Sequence, residues 1–392
     1  MTTCPNTEGG GQAAPPFHGP VRVADEIDRI IHLIQHYTAL PNNDLAVLLA
    51  CWIVNTYTFQ HFRYCGYVAL RSATPQCGKT RLLRLIGSLA KGNRKPIAFP
   101  TAAVIFRCGW EVMLLDEVDQ LRNGDKETFG ALLAVLNFGF ERGGAIVRNE
   151  RIEGTYQPTE FPVYGPKAFA GIEGLADTLS DRTFHIQMER AKYRQPRMVM
   201  RKMDDELTSV RLKLEWWERD TATLLVAAYD DLPDQHPDLE RFDDRFQDIA
   251  EPLIILATMA DAERPTGPLI LPRLLEGLRV AAGRRAPSVG ERLLLIILKM
   301  MEDKLGPKDE MFLPSQELFQ ACGGGDGTTG ISSTTALASF LKRFDLSPRE
   351  ASDGKCRGYW ITRSWIEHWK ARYGGKEGGL NGMPPAATCL SV

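Results

Sequence analysis

The run Ala73-Thr74-Pro75-Gln76-Cys77-Gly78-Lys79-Thr80 has the residue types and spacing of a phosphate cradle, with Ala73 where the strict pattern carries its first glycine. Such a loop wraps a phosphate with backbone N–H groups, so the chain must approach closely, which Gly78 allows. Lys79 then reaches the β- and γ-phosphates, the Thr80 hydroxyl can ligate Mg²⁺, and Arg81 follows in the same helical turn. Thirty-seven residues after Lys79, the apolar run "VMLL" ends in Asp116 and Glu117. Asp116 at a strand end can hold Mg²⁺ through water, and Glu117 can orient and deprotonate a water attacking the γ-phosphate. A base beside the metal carboxylate suits hydrolysis better than transfer to a small acceptor. The chemistry expected is therefore ATP hydrolysis with Mg²⁺.

Arginines supply a second set of candidates. Arg182, in "LADTLSDRTFHI", sits at a helix end before a strand, where ring-forming ATPases present a finger to a neighbour's γ-phosphate. The plainer alternative is a salt bridge with Asp181 or Asp177, and Arg142 in "FERGG" is a second finger candidate. The hairpin "AIVRNERIEGTYQPTEFPVY" carries Arg148 and Arg151, which either track a nucleic-acid backbone or decorate an edge ribbon. From Lys342 to Arg372, eight Lys and Arg, among them Lys342, Arg343, Lys355 and Arg357, face four acids and interleave with Tyr359, Trp360, Trp365 and Trp369. That balance fits DNA contact or an ordinary solvated face over an aromatic core. The basic run Arg190, Lys192, Arg194, Arg197, Arg201, Lys202 is opposed only by Glu189, and reads as a solvated linker or as a DNA-facing surface. His32 and His36 share a helix face but lack the partners of a metal site.

The elements that must position these residues follow from periodicity. Residues 1–20 and 374–392 are Gly/Pro-rich and read as disordered tails. Residues 21–65 form a helical lead-in of two helices broken at "PNND". In 66–189, "YVALRS", "KPIAFP", "VMLLDE", "KAFAGI" and "RTFHIQM" alternate with helical segments, as five strands of a parallel α/β sheet would. Residues 190–286 are helical throughout and read as an all-α lid. Residues 287–373, helices followed by a hairpin and a final helix, read as a winged-helix-like domain.

With 44% hydrophobic and 24% charged residues and a formal net charge of −2, the composition excludes a globally basic binder, so any nucleic-acid surface is local. Eight scattered cysteines without CxxC pairs argue for reduced thiols and a cytoplasmic setting. The most apolar stretch, Leu45 to Val54, is too short to span a bilayer, and no export signal is read.

"ATPQCGKTRLL", "LLDEVD", "ERGGAIVR", "PKAFAGIEGLADTLSDRTFHIQM" and "RFDDRFQDIAEPLIILATMAD", in that order, resemble the P-loop ATPases of phages, plasmids and integrated elements catalogued as a domain of unknown function. The resemblance covers roughly residues 38–373, and that family is similar to AAA+ replicative helicases, often associated with primase. It implies Gly78, Lys79 and Thr80 for nucleotide, Asp116 and Glu117 for metal and water, Arg182 as a trans finger, and Arg245 as a second sensor in the lid. It implies a homo-oligomeric ring, a hexamer, acting on DNA during replication of a mobile element, with primase or other replication proteins as partners. Here "KAFAGI" ends without the polar sensor the family carries, leaving Asn137 as the candidate. A nucleotide-gated switch that recruits partners without unwinding, or a nucleic-acid-sensing defence ATPase, are the other readings open to such a site.

Overall fold

The computed structural model describes residues 20–373, apart from 73–75, 99, 108–111, 119–125, 153, 172–176, 234–235, 241, 265, 268, 284–288, 322–332, 352–353 and 355. The chain divides into two compact units, residues 1–285 and 286–392.

In the first unit, α1 (Val23–Tyr37) and α2 (Asp44–Thr58) precede β1 (Tyr67–Arg71). The apolar stretch Leu45 to Val54, too short to span a bilayer, lies in α2, which is apolar all round and accordingly buried along its length. Its polar groups close locally: Trp52 Nε1 donates to Gly66 O at 2.7 Å and Tyr57 OH to Leu89 O at 2.6 Å, tying the helix to both flanks of β1 and α3 (Lys79–Leu89). Among the described residues no helix is long and apolar enough to cross a membrane.

After α3 come α4 (Ala102–Arg107), β2 (Met113–Leu115), α5 (Lys126–Phe138), the hairpin β3 (Ala145–Ile152) and β4 (Thr155–Pro162), then β5 (Lys167–Ala170) and β6 (Thr183–Gln187). The sheet is parallel with order β2-β5-β1-β6, so the fold is mixed α/β. Of the five strands expected, "KPIAFP" contributes only a single parallel bridge, Ile97 to Leu115. Pro96 and Pro100 flank it and cannot donate to a ladder, which keeps it at the edge.

Residues alternate across the sheet. Val68 and Leu70 of β1 pack into a core shared with α1, α2, α3 and the later helices, while Tyr67 and Ala69 face a second core with α4 and α5. The later helices are α6 (Met200–Asp230), α7 (Asp244–Ala262) and α8 (Ile270–Gly283). The helical segments before and after the sheet thus fill one continuous apolar core.

In the second unit, α9 (Val289–Leu305), β7 (Glu310–Pro314), α10 (Ser315–Ala321), α11 (Thr334–Leu341), β8 (Arg349–Glu350), β9 (Arg357–Thr362) and α12 (Arg363–Tyr373) enclose their own core. The sheet is antiparallel, β7-β9-β8. Gly358 is required at its centre, since a Cβ there would stand 2.3 Å from Leu313 O.

Candidate functional site

All four parallel strands of the first unit end on the same side, and the cradle sequence lies there. β1 finishes at Arg71 and α3 begins at Lys79, with Gly78 capping it in the left-handed region at φ 85°. Among the described residues only Met188 Cε lies within 4 Å of a Cβ built on Gly78, and the positive φ itself favours glycine there. No side chain caps α3, leaving its first N–H groups and the positive end of its dipole for a ligand. Gln76 is also left-handed, at φ 62°. Lys79 Nζ donates back to Ser72 Oγ, and Arg81 Nη1 donates to Tyr37 O at 3.3 Å, fastening the end of α1 to α3. Ala73, Thr74 and Pro75 lie outside the described residues.

A cavity of about 800 Å³ opens over this turn. One wall is Tyr37, Thr38 and Ala39, the second is Gln76 to Arg81 with Arg84, and the third is the segment after β6, including Arg190, Tyr193, Arg194 and Arg197. Among the described residues, six cationic side chains and no carboxylate line it. The basic run after Glu189, for which the sequence allowed a linker or a DNA-facing surface, contributes three of those cations. The Tyr37 wall and this third wall were not anticipated; the signal was the run's near-total lack of acids.

Asp116 and Glu117 close β2 on the same side of the sheet but do not line the cavity. β5 lies between β2 and β1, placing the two strands about 10 Å apart at ordinary strand spacing. Asp116 is half-buried, its N–H donating to Ile97 O at 3.0 Å. Glu117 is exposed, left-handed at φ 57°, and donates its N–H to Asp116 Oδ1 at 3.1 Å. Gly171, at the end of β5, donates to Leu70 O at 3.1 Å and offers no side chain between them. Among the described residues no group of three or more His, Cys, Asp or Glu could hold a metal, and His32 and His36 simply stack at 5.8 Å.

The remaining candidates lie at the opposite end of the sheet. Arg182 immediately precedes Thr183, which pairs with Tyr67 at the start of β1. It is 8% exposed, its guanidinium lies 4.5 Å over the Phe140 ring, and Nη1 donates to Asn137 Oδ1 at 3.0 Å. Burial holds its pKa below the usual arginine value. A finger offered to a neighbour must project, whereas this side chain is folded into its own subunit. Asn137 is correspondingly remote from the cradle and does not fit the γ-phosphate sensor role. Arg245, expected as a lid sensor, instead donates to Asp181 Oδ2 at 2.5 Å at this same far end. Arg142 is exposed there, beside Arg63 and Glu141, which pair at 2.9 Å.

Among the described residues the hairpin β3–β4 pairs only with itself, and it rests on α4: Phe106 meets Phe161 at 5.2 Å, Arg107 pairs with Glu150 at 2.6 Å, and Arg148 lies 4.4 Å over the Phe106 ring. Arg148 is therefore engaged, while Arg151 is exposed. In the second unit Lys342, Arg343 and Arg357 are exposed and Lys355 lies outside the described residues. The interleaved aromatics mostly serve the core: Tyr359 is buried, Trp365 and Trp369 are half-buried and pack against it, and Trp360, at 39%, is exposed.

No family model matches the sequence. No curated protein matches it. Among solved structures, a chain titled "Structure of Drosophila ORC bound to DNA" is similar at 11% identity, over 92% of this chain and 95% of that one, with a TM-score of 0.22. At that TM-score the likeness carries no argument about fold or function.

Proposed function

We propose that the chain is a P-loop ATPase of AAA+ type that hydrolyses ATP with Mg²⁺ and works on DNA. The observation that carries this reading is the turn at Gly78: a left-handed glycine cap between a central parallel strand and an uncapped helix, opening with Lys79 into a cavity whose charged lining, among the described residues, is all cationic. A triphosphate fits that lining by charge, and Tyr37 and Tyr193 offer aromatic surface for a base.

The residues present also fit Mg²⁺. Thr80 stands in the first turn of α3 and Asp116 at the end of β2, on the same sheet edge, and these two would hold the ion, which when bound neutralises charge on the transferred phosphate. Glu117, exposed beside Asp116, takes the proton of the attacking water. The interposed β5 supports the reading, because it separates acid and cradle by the width a phosphate and its water require. Arg142, rather than Arg182, is the arginine a neighbouring subunit could meet.

Coupling to DNA rests on the exposed cations Arg151, Lys342, Arg343 and Arg357, and replication of a mobile element with a primase partner rests on the resemblance alone. The decisive experiment is titration of a fluorescent ATP analogue into wild type and Lys79→Ala. Binding lost in the variant is the expected result, and equal binding by both proteins overturns the assignment of the cradle.

A further inference from the structure

We infer that residues 190–197 form a cationic strap that reads the phosphate chain of the nucleotide, with Arg190, Arg194 and Arg197 setting preference for triphosphate over shorter ligands. The inference rests on the nucleotide reading above and adds a specificity element to it.

The strap is anchored at both ends. Met188 N–H donates to Arg71 O at 2.6 Å, holding the chain beside the end of β1, and the buried Met188 side chain approaches Gly78. Met198 packs against the main core immediately before α6 begins at Met200. Between these anchors the chain follows neither helix nor strand and crosses the cavity opposite Lys79.

Its charges lack local partners. Among the described residues, Arg190, Arg194 and Arg197 enter no ion pair, and they share the cavity lining with Lys79, Arg81 and Arg84 of α3. Like charges gathered around one concavity repel until an anion enters, and each guanidinium presents a donor fork matched to phosphate oxygens. Every phosphate removed from the ligand takes away charge and acceptors that the strap and Lys79 can use, while the base and first phosphate keep the helix terminus. The geometry therefore ranks ATP above ADP above AMP.

The test is calorimetric titration of ATP, ADP, AMP and inorganic tripolyphosphate, in chelator and low salt, into wild type, the double variant Arg194→Ala/Arg197→Ala and its charge-retaining counterpart Arg194→Lys/Arg197→Lys. Both positions are exposed, so the fold is expected to persist, and the lysine variant checks that charge rather than backbone change is read. The expected result is a loss of roughly ten- to a hundredfold in ATP affinity in the alanine variant, with AMP affinity unchanged and the lysine variant intermediate. An unaltered ATP-to-AMP ratio in the alanine variant overturns the strap and leaves the ATPase reading standing. Wild type that binds tripolyphosphate through these arginines but no nucleotide supports the strap as a polyphosphate site and overturns the nucleotide reading. Wild type that binds none of the four ligands overturns both.

Discussion

The guanidinium of Arg182 lies 4.5 Å over the ring of Phe140, at the start of the strands and away from the cradle. The same group donates to Asn137, so it knits β6 to the end of α5 within one subunit. Structural work of this kind has a different mutational signature from catalysis in trans.

Arg182→Ala is accordingly expected to cost about 2–3 kcal/mol of stability, through loss of a buried cation–π contact and a charged hydrogen bond. Urea unfolding measures this directly. An unchanged midpoint would return Arg182 to the list of surface fingers.

Arg142→Ala should instead leave stability within about 0.5 kcal/mol, because the side chain is exposed. If Arg142 serves a neighbour, turnover falls roughly 10³-fold. Mixing with Lys79→Ala subunits should then restore activity, since each partner supplies what the other lacks. Lack of rescue at high protein concentration removes Arg142 from the mechanism.

Lys167, 2% exposed, donates to the backbone carbonyls of Val163 at 2.7 Å, Gly165 at 2.8 Å and Gly139 at 3.3 Å. Burial pushes its pKa down from 10.5 to about 7. Between those values the unfolded chain binds the extra proton, so this residue makes stability rise with pH across that window and its penalty is constant below it. Lys167→Met should remove the slope while costing about 2–4 kcal/mol at neutral pH, because the carbonyls lose their donor. Denaturant midpoints from pH 7 to 10 decide; the same slope in both proteins assigns the pH dependence elsewhere.

The strand-glycine-helix turn was legible because its parts are consecutive: a β-rich run, a glycine and a helix that begins at once. The acidic pair was legible for the same reason. Periodicity does not say which end of a sheet a residue occupies, and so it could not show that Asn137 bonds Arg182, or Arg245 Asp181, beside the start of β6. Nor can local sequence bring Arg194 and Lys79 to one cavity; that arrangement is created by β6 lying beside β1 and delivering the following chain to the same end of the sheet. The second unit's aromatics looked equally available in sequence, and only burial separates Trp360 from Tyr359.

Glu117 combines a left-handed backbone with an exposed carboxylate next to Asp116, and the two properties can be tested separately. Glu117→Gln keeps backbone and shape but cannot accept a proton, so ATP binding should persist while multiple turnover falls roughly 10²–10⁴-fold. Glu117→Gly removes the carboxylate and also the steric cost of a side chain at φ 57°, so it should raise stability by about 1 kcal/mol while turnover is lost. Phosphate release and urea unfolding on the three proteins provide both readings. Sustained hydrolysis by Glu117→Gln would show that another group takes the proton, and the acidic pair would then be reduced to holding the metal.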